Sequence, residues 1–187
     1  MCGFRRGDRL VNAGADSTEV LLVVDGLLKV VLPSEWGLDS ITNLVGCGEL
    51  VGELGVLFGD KRSAHVVALT SGTAVRVGAS TFRSLLREHR DVHALVDHTA
   101  RRRQRTADDR HRDQRLDVHT RVELSLGRWA RAFGAPLPDG QLRVRGLGQG
   151  DVADAVAASV KHVEAAYARL RAEGTLRSGR LWYEIKP

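Results

Sequence analysis

Gly48-Glu49-Leu50-Val51-Gly52-Glu53-Leu54-Gly55-Val56-Leu57-Phe58-Gly59-Asp60-Lys61-Arg62-Ser63-Ala64 is the stretch on which the reading of this chain turns. The apolar residues after Gly52 predict a short helix, and the first N–H groups of any helix lack an intrahelical acceptor and gather at its start. Glycine at that point lets another group approach the main chain closely. Further on, Arg62 offers a forked set of donors and Ser63 a hydroxyl. Donors of these kinds converging on one place suit an anion of the phosphate type. A plainer reading stands beside it, in which Glu53 and Arg62 form a structural ion pair within a turn.

Working outward, residues from Val11 to Val77 read as short apolar or alternating segments punctuated by turn residues, with no sustained helical period. Glu19 to Val24, the turn Asp25-Gly26, and Leu27 to Leu32 predict a hairpin. Ser40 to Val45, Ala64 to Thr70 and Thr73 to Val77 are further strand candidates. They are closed by Gly46-Cys47-Gly48 and Ser71-Gly72. Many short strands with glycine turns predict an antiparallel barrel or jelly roll over residues 1–79.

At Ser80 the pattern changes, since almost no Gly or Pro interrupts the chain from there to Gly127. Ser80 or Thr81 is expected to cap a short helix from Thr81 to Glu88. A long helix from about Asp91 to Arg115 carries Val92, Leu95, Val96 and Thr99 at helical spacing, a stripe suited to pairing with a second copy of the chain. Residues 80–116 thus form a helical segment with a dimerisation helix. Residues 117–187 predict a third part: helix Val118 to Phe133, strand Gln141 to Val144, helix Gln149 to Val156, the turn Ala157-Ala158-Ser159, helix Val160 to Glu173, and a wing from Leu176 to Pro187. The fold class expected is α+β.

The formal net charge of the 187-residue chain is +5, and it is unevenly spread. Residues 1–79 carry 7 basic and 9 acidic side chains, residues 80–116 carry 10 and 6, and residues 117–187 carry 11 and 8. A polyanion would therefore meet the second half of the molecule. No apolar run approaches the ~18 residues of a membrane span, and the N-terminus has neither an apolar core nor a small-residue cleavage site, so no membrane partner and a cytoplasmic location are expected. Cys2 and Cys47 lack metal-ligand or disulfide spacing. The histidines His65, His89, His93, His98, His111, His119 and His162 lack the companions of a metal site. No nucleophile elbow or phosphate loop of an enzyme appears, so no catalytic residue is nominated. Trp36, Trp129 and Trp182 are read as packing residues.

The quoted stretch resembles the phosphate-binding cassette of cyclic nucleotide-binding domains: Gly-Glu-Leu, a spacer, then Arg-Ser-Ala. Leu147 to Val163 likewise resembles a helix-turn-helix, with Ala153 facing the second helix and Val163 closing its core. Over nearly its full length the chain is similar to the catabolite activator and FNR (Crp/Fnr) family, although most of that family's N-terminal helical lead-in is absent. The first barrel strand is therefore expected to begin almost at Met1.

The resemblance implies a homodimeric regulator that binds double-stranded DNA and is controlled by cyclic AMP as an allosteric effector, with no other cofactor and with RNA polymerase as a further partner. It assigns the nucleotide to Gly52, Glu53, Leu54, Arg62, Ser63 and Ala64, with Glu53 on the ribose hydroxyl. Thr106 is expected to touch the base, while its neighbour Ala107 lacks the hydroxyl the family uses. DNA contacts fall on Ser159, Val160, Lys161, His162 and Glu164 of the second helix, and on Arg177 and Arg180 of the wing. With Val160 and Ala165 where the activator has base-reading arginines, its operator does not carry over. Two rivals remain: a regulator of the same fold that reads another effector or binds DNA without a cyclic nucleotide, and a small-molecule barrel enzyme with an accessory domain.

Overall fold

The computed structural model describes residues 1–35 and 39–186, so the packing role expected of Trp36 lies outside the described residues. The chain divides into two compact units, Met1–Ala107 and Asp108–Pro187. The division falls inside a helix, earlier than the boundary at residue 117 that the sequence suggests.

In the first unit come β1 (Cys2–Phe4), β2 (Arg9–Val11), β3 (Glu19–Asp25), β4 (Leu28–Leu32), β5 (Ser40–Val45), β6 (Leu50–Val51), α1 (Glu53–Phe58), β7 (His65–Ala68), β8 (Gly72–Gly78), α2 (Ala79–Glu88) and the greater part of α3 (Arg90–Asp113). The strands make two antiparallel four-stranded sheets, ordered β1-β8-β3-β6 and β2-β7-β4-β5. Their alternating inner faces bury Phe4, Val11, Leu21, Val23, Leu28 and Val45 in one core, as the faces of packed sheets do. This is the jelly-roll barrel the strand pattern implies, with β1 beginning at residue 2.

One pairing differs from expectation. β3 bonds to β8 and β6, while β4 bonds to β5 and β7, so the strands flanking Asp25-Gly26 lie in different sheets and make no hairpin. The reason is at the corner: the Leu27 N–H donates to the Thr70 hydroxyl (2.8 Å), and the Leu69 N–H donates to the Leu27 carbonyl (2.8 Å). Two corners bond to each other, and each hands its chain from one sheet to the other.

α2 starts at Ala79, with Gly78 in the cap position and no side-chain cap, so neither Ser80 nor Thr81 caps it. The stripe on α3 also meets the chain's own first unit. Val92, Leu95 and Val96 pack against a cluster of Val20, Leu50, Val56 of α1 and Phe82 of α2, and Thr99 is buried. The chain's own core covers this face in part, and Val92, Leu95 and Val96 remain half-buried.

The second unit contains α4 (Val118–Phe133), β9 (Ala135–Pro136), β10 (Leu142–Arg145), α5 (Gln149–Val156), α6 (Val160–Ala172), β11 (Leu176–Gly179) and β12 (Trp182–Ile185). Its sheet runs β11-β12-β10-β9. The helices close over Val122, Leu126, Val152, Val163, Leu170 and Tyr183. The Tyr183 hydroxyl donates to the Leu126 carbonyl (2.9 Å), and burial pushes its phenol well above the usual range. Asp117 caps α4 by accepting from the Thr120 N–H (3.1 Å) and hydroxyl (2.7 Å). The end of α3 is bonded into this unit by the Asp113–Arg128 ion pair.

Trp129 is half-buried, as a packing residue would be. Trp182 is 37% exposed, because it alternates with the buried Tyr183 along β12 and so faces outward. No helix among the described residues is long and apolar enough to cross a membrane.

Candidate functional site

The cassette is built on β6, which delivers the chain to Gly52. That residue adopts φ +87°, in the left-handed region where an L side chain is strained. A Cβ there would also lie 2.5 Å from Nη1 of Arg62. Glycine at this position is thus required twice, by backbone angle and by contact. α1 follows, and Leu54 and Gly55 in its first turn line a cavity of about 540 Å³. Leu54, Arg62, Ser63 and Ala64 line that cavity with Gly52, over a floor of Val11, Val30 and Val66.

Arg62 is 8% exposed. Its Nη1 donates to the Gly52 carbonyl at 2.6 Å and its Nη2 to the Glu19 carbonyl. Burial lowers its pKa from the ordinary value, an effect that the nearby carboxylates of Glu19 and Glu53 oppose. The guanidinium therefore reaches the cavity with part of its donor set already committed to the main chain, and the rest available to an anion.

Glu53 is 1% exposed and pairs with Arg103 of α3 rather than with Arg62. Arg103 grips both carboxylate oxygens, Nη2 to Oε2 at 3.2 Å, and also donates to the Leu50 carbonyl at 2.9 Å. The neighbouring Arg102 pairs with Glu49, another buried carboxylate. The simple Glu53–Arg62 pair is thus replaced by two arginines of one helix holding two acids of the cassette. Arg103 also lines the cavity, and sequence reading missed it. The signal was present, since continuing the spacing of Val92, Leu95, Val96 and Thr99 by one more turn reaches Arg102 and Arg103.

Thr106 does not line the cavity. Its hydroxyl donates to the Arg102 carbonyl at 3.1 Å, one turn back on its own helix. Ala107 is the residue that faces the cavity, so the position from which a base hydroxyl contact would come carries a methyl group. The base contact expected of Thr106 therefore finds no support in the cavity lining of this chain.

In the second unit α5, a turn with Ala157 at φ 52°, and α6 form the helix-turn-helix. Ser159 caps α6 by accepting from the His162 N–H (3.3 Å), and its hydroxyl also meets His162 Nδ1 at 2.9 Å. Val160, Lys161, His162, Glu164 and Ala165 are exposed, while Val163, Ala166 and Tyr167 face the core. Two arginines close the far end of α5: Arg110 donates to the Ala155 carbonyl (2.6 Å) and Arg121 to the Val156 carbonyl (3.0 Å). Cations there meet the negative end of the helix dipole.

The wing cations divide. Arg177 is held by Asp139 (2.7 Å) and Glu184 (2.6 Å), so its charge is already met. Arg180 is exposed, and no side-chain partner for it exists among the described residues. His65, the one barrel histidine, accepts from the Ala13 N–H (3.0 Å). No cluster of metal-ligating side chains exists among the described residues.

The class that the fold and site define is a two-sheet barrel with this cassette, in one chain with a winged helix-turn-helix. Residues 2–89 match the cyclic nucleotide-binding domain family. The chain is 26% identical over 176 residues to the CRP-like cAMP-activated global transcriptional regulator of Mycobacterium tuberculosis, covering 93% of this chain and 78% of the relative. It is 30% identical over 134 residues to the cAMP-activated global transcriptional regulator CRP of Salmonella typhimurium, covering 70% of this chain and 64% of the relative.

Among solved structures, the c-di-GMP responsive global regulator CLP of Xanthomonas campestris superposes with a TM-score of 0.82 at 15% identity, over 100% of this chain and 93% of that one. A CRP/FNR family regulator of Thermus thermophilus gives 0.78 at 22% identity, over 98% and 92%. The chain thus carries a cyclic nucleotide-binding domain over residues 2–89 and is similar along most of its length to regulators of the Crp/Fnr type.

Proposed function

We propose that this protein is a sequence-specific DNA-binding regulator whose barrel senses a cyclic nucleotide, with cyclic AMP the leading candidate. The observation that carries the reading is the cavity of about 540 Å³ into which the start of α1, Arg62 and Ser63 converge. A cyclic diester has one negative charge to be met there, by main-chain N–H groups, the remaining guanidinium donors and a hydroxyl. The Glu53–Arg103 pair supplies an acceptor and a donor for the sugar, and Leu54 and Ala64 wall the site. The protein works as a cytoplasmic homodimer without catalytic activity, presents Ser159 to Glu164 to the major groove, and passes its signal to RNA polymerase. Effector favours the DNA-competent state only in so far as it binds that state more tightly.

Calorimetry and thermal shift on the full chain test this. Cyclic AMP raises Tm in the wild type. Arg62→Gln, which can still donate to a main-chain carbonyl, loses that shift. Equal binding by the variant overturns the assignment.

A second reading keeps the fold and changes the effector. Two observations favour it: Ala107 stands at the base-facing position, and Arg62 is already bonded to two carbonyls. The c-di-GMP responsive relative by structure supplies a concrete alternative. A panel of cyclic AMP, cyclic GMP and c-di-GMP separates the two by which ligand raises Tm.

A further inference from the structure

On the outer face of the wing sheet, Trp182 of β12 lies between Arg145 of β10 and Gly179 of β11 in the strand register. A Cβ on Gly179 would collide with the indole, so the ring lies across the hairpin. Arg143 stacks over it, 5.5 Å from the ring centroid. Arg143, Arg145, Leu181 and Trp182 enclose a groove of about 400 Å³.

The charges on this face do not cancel. Arg143 pairs with Glu184, Glu184 with Arg177, and Arg177 with Asp139, a chain of two cations and two anions. Arg145 and Arg180 are left over. Both are exposed, and neither makes a side-chain hydrogen bond or ion pair among the described residues.

Leu181 marks the same spot by its backbone. It holds φ +122°, unusual for a bulky residue and tolerated where surrounding bonds impose it. Here the Gly146 N–H donates to its carbonyl at 2.8 Å. Its side chain reaches to 3.5 Å of where a Cβ on Gly148 would sit, and Gly148 is the residue at the start of α5. The first helix of a helix-turn-helix crosses the DNA backbone, so phosphates on that path run past Gly148, with Arg145 three residues before it and Leu181 against it.

We infer that the outer face of β10 and β12, centred on Arg145 and Trp182, lies on the sugar-phosphate backbone of duplex DNA beside the groove read by α6. The inference rests on the DNA-binding reading and revises its contact set: Arg145 takes the flanking role that the sequence gave to Arg177, whose charge is already met. The contact is indifferent to sequence. Guanidinium meets phosphate, and the indole and Leu181 give an apolar surface for deoxyribose.

The test is anisotropy on the full chain with duplexes of unrelated mixed sequence, from about 50 to 200 mM salt. The wild type shows a steep fall of affinity with salt. Arg145→Ala flattens the slope of log affinity against log salt by about 0.9 for each protomer on the DNA, the release expected for one phosphate, and weakens binding to every duplex alike. Arg169→Ala, an exposed residue near the other end of α6, leaves the slope unchanged. Duplex DNA also alters tryptophan emission in the wild type, and Trp182→Phe abolishes that change.

A wild type with no salt-dependent affinity ends the DNA reading and this inference with it. A steep wild-type slope that Arg145→Ala does not alter, that Arg169→Ala lowers equally, or an emission change that survives Trp182→Phe, overturns this inference alone. In that case the groove belongs to a protein partner with acidic and apolar side chains.

Discussion

At the scale of single residues, the decisive pair is Glu53 with Arg103, and its asymmetry makes a prediction. The carboxylate side chain is 1% exposed and the guanidinium side chain 23%. Removing the cation strands a buried anion that water cannot reach, whereas neutralising the anion strands a cation that water still reaches in part. Arg103→Met should therefore cost about 3 kcal/mol of unfolding free energy, and Glu53→Gln clearly less. Urea unfolding of the two variants measures the order, and the reverse order would mean that the pair is not buried as described. The two residues also differ in how legible they were. Glu53 and Arg62 sit within one short motif whose chemistry can be read from neighbours in the chain. Arg103 lies 50 residues from Glu53, in a run of arginines that looks like a solvated helix face until the barrel is folded beneath it.

At the scale of elements, helices were legible and strand pairing was not, for a common physical reason. A helix is closed by bonds between near neighbours, so its period and caps lie in the local sequence; α4 and α5 fall where their residues predict. A strand is closed by a partner anywhere in the chain, and Asp25-Gly26 bends the chain equally well within one sheet or between two. The cap of α4 can be tested through pH. Hydrogen bonds from the Thr120 hydroxyl and then the Thr120 N–H hold the Asp117 carboxyl below its usual range. A pKa lowered by folding gives stability that is full above the unfolded value, about 3.9, and is lost as pH falls through the folded value. Asp117→Ala should thus melt below wild type near neutrality, with the two Tm curves converging as pH drops through the carboxylate range. Asp117→Asn keeps an acceptor and should melt between them near neutrality. A gap between wild type and Asp117→Ala that stays constant into strong acid would show that the charge on Asp117 contributes nothing.

At the scale of the whole molecule, the uneven charge was legible as composition, while the use of α3 was not. An apolar stripe on an isolated helix does not say which surface will cover it, and here the chain's own first unit covers Val92, Leu95 and Val96 in part. What α3 leaves exposed includes His93, Asp97, Arg101 and Arg105. If two copies pair along this helix, as the proposed function requires, charged and polar side chains make up much of the seam beside the uncovered part of that stripe. Ion pairs at such a surface weaken as salt screens them over about 10 Å at 0.1 M, and each contributes little on its own. An apolar seam would behave oppositely, holding or tightening as excluded salts such as sulfate are added. The dimer should therefore be weak and should dissociate further as sodium chloride is raised. Sedimentation equilibrium across a salt series reads this directly, and a dimer that persists unchanged to high salt would place the seam on some apolar surface other than the exposed face of α3.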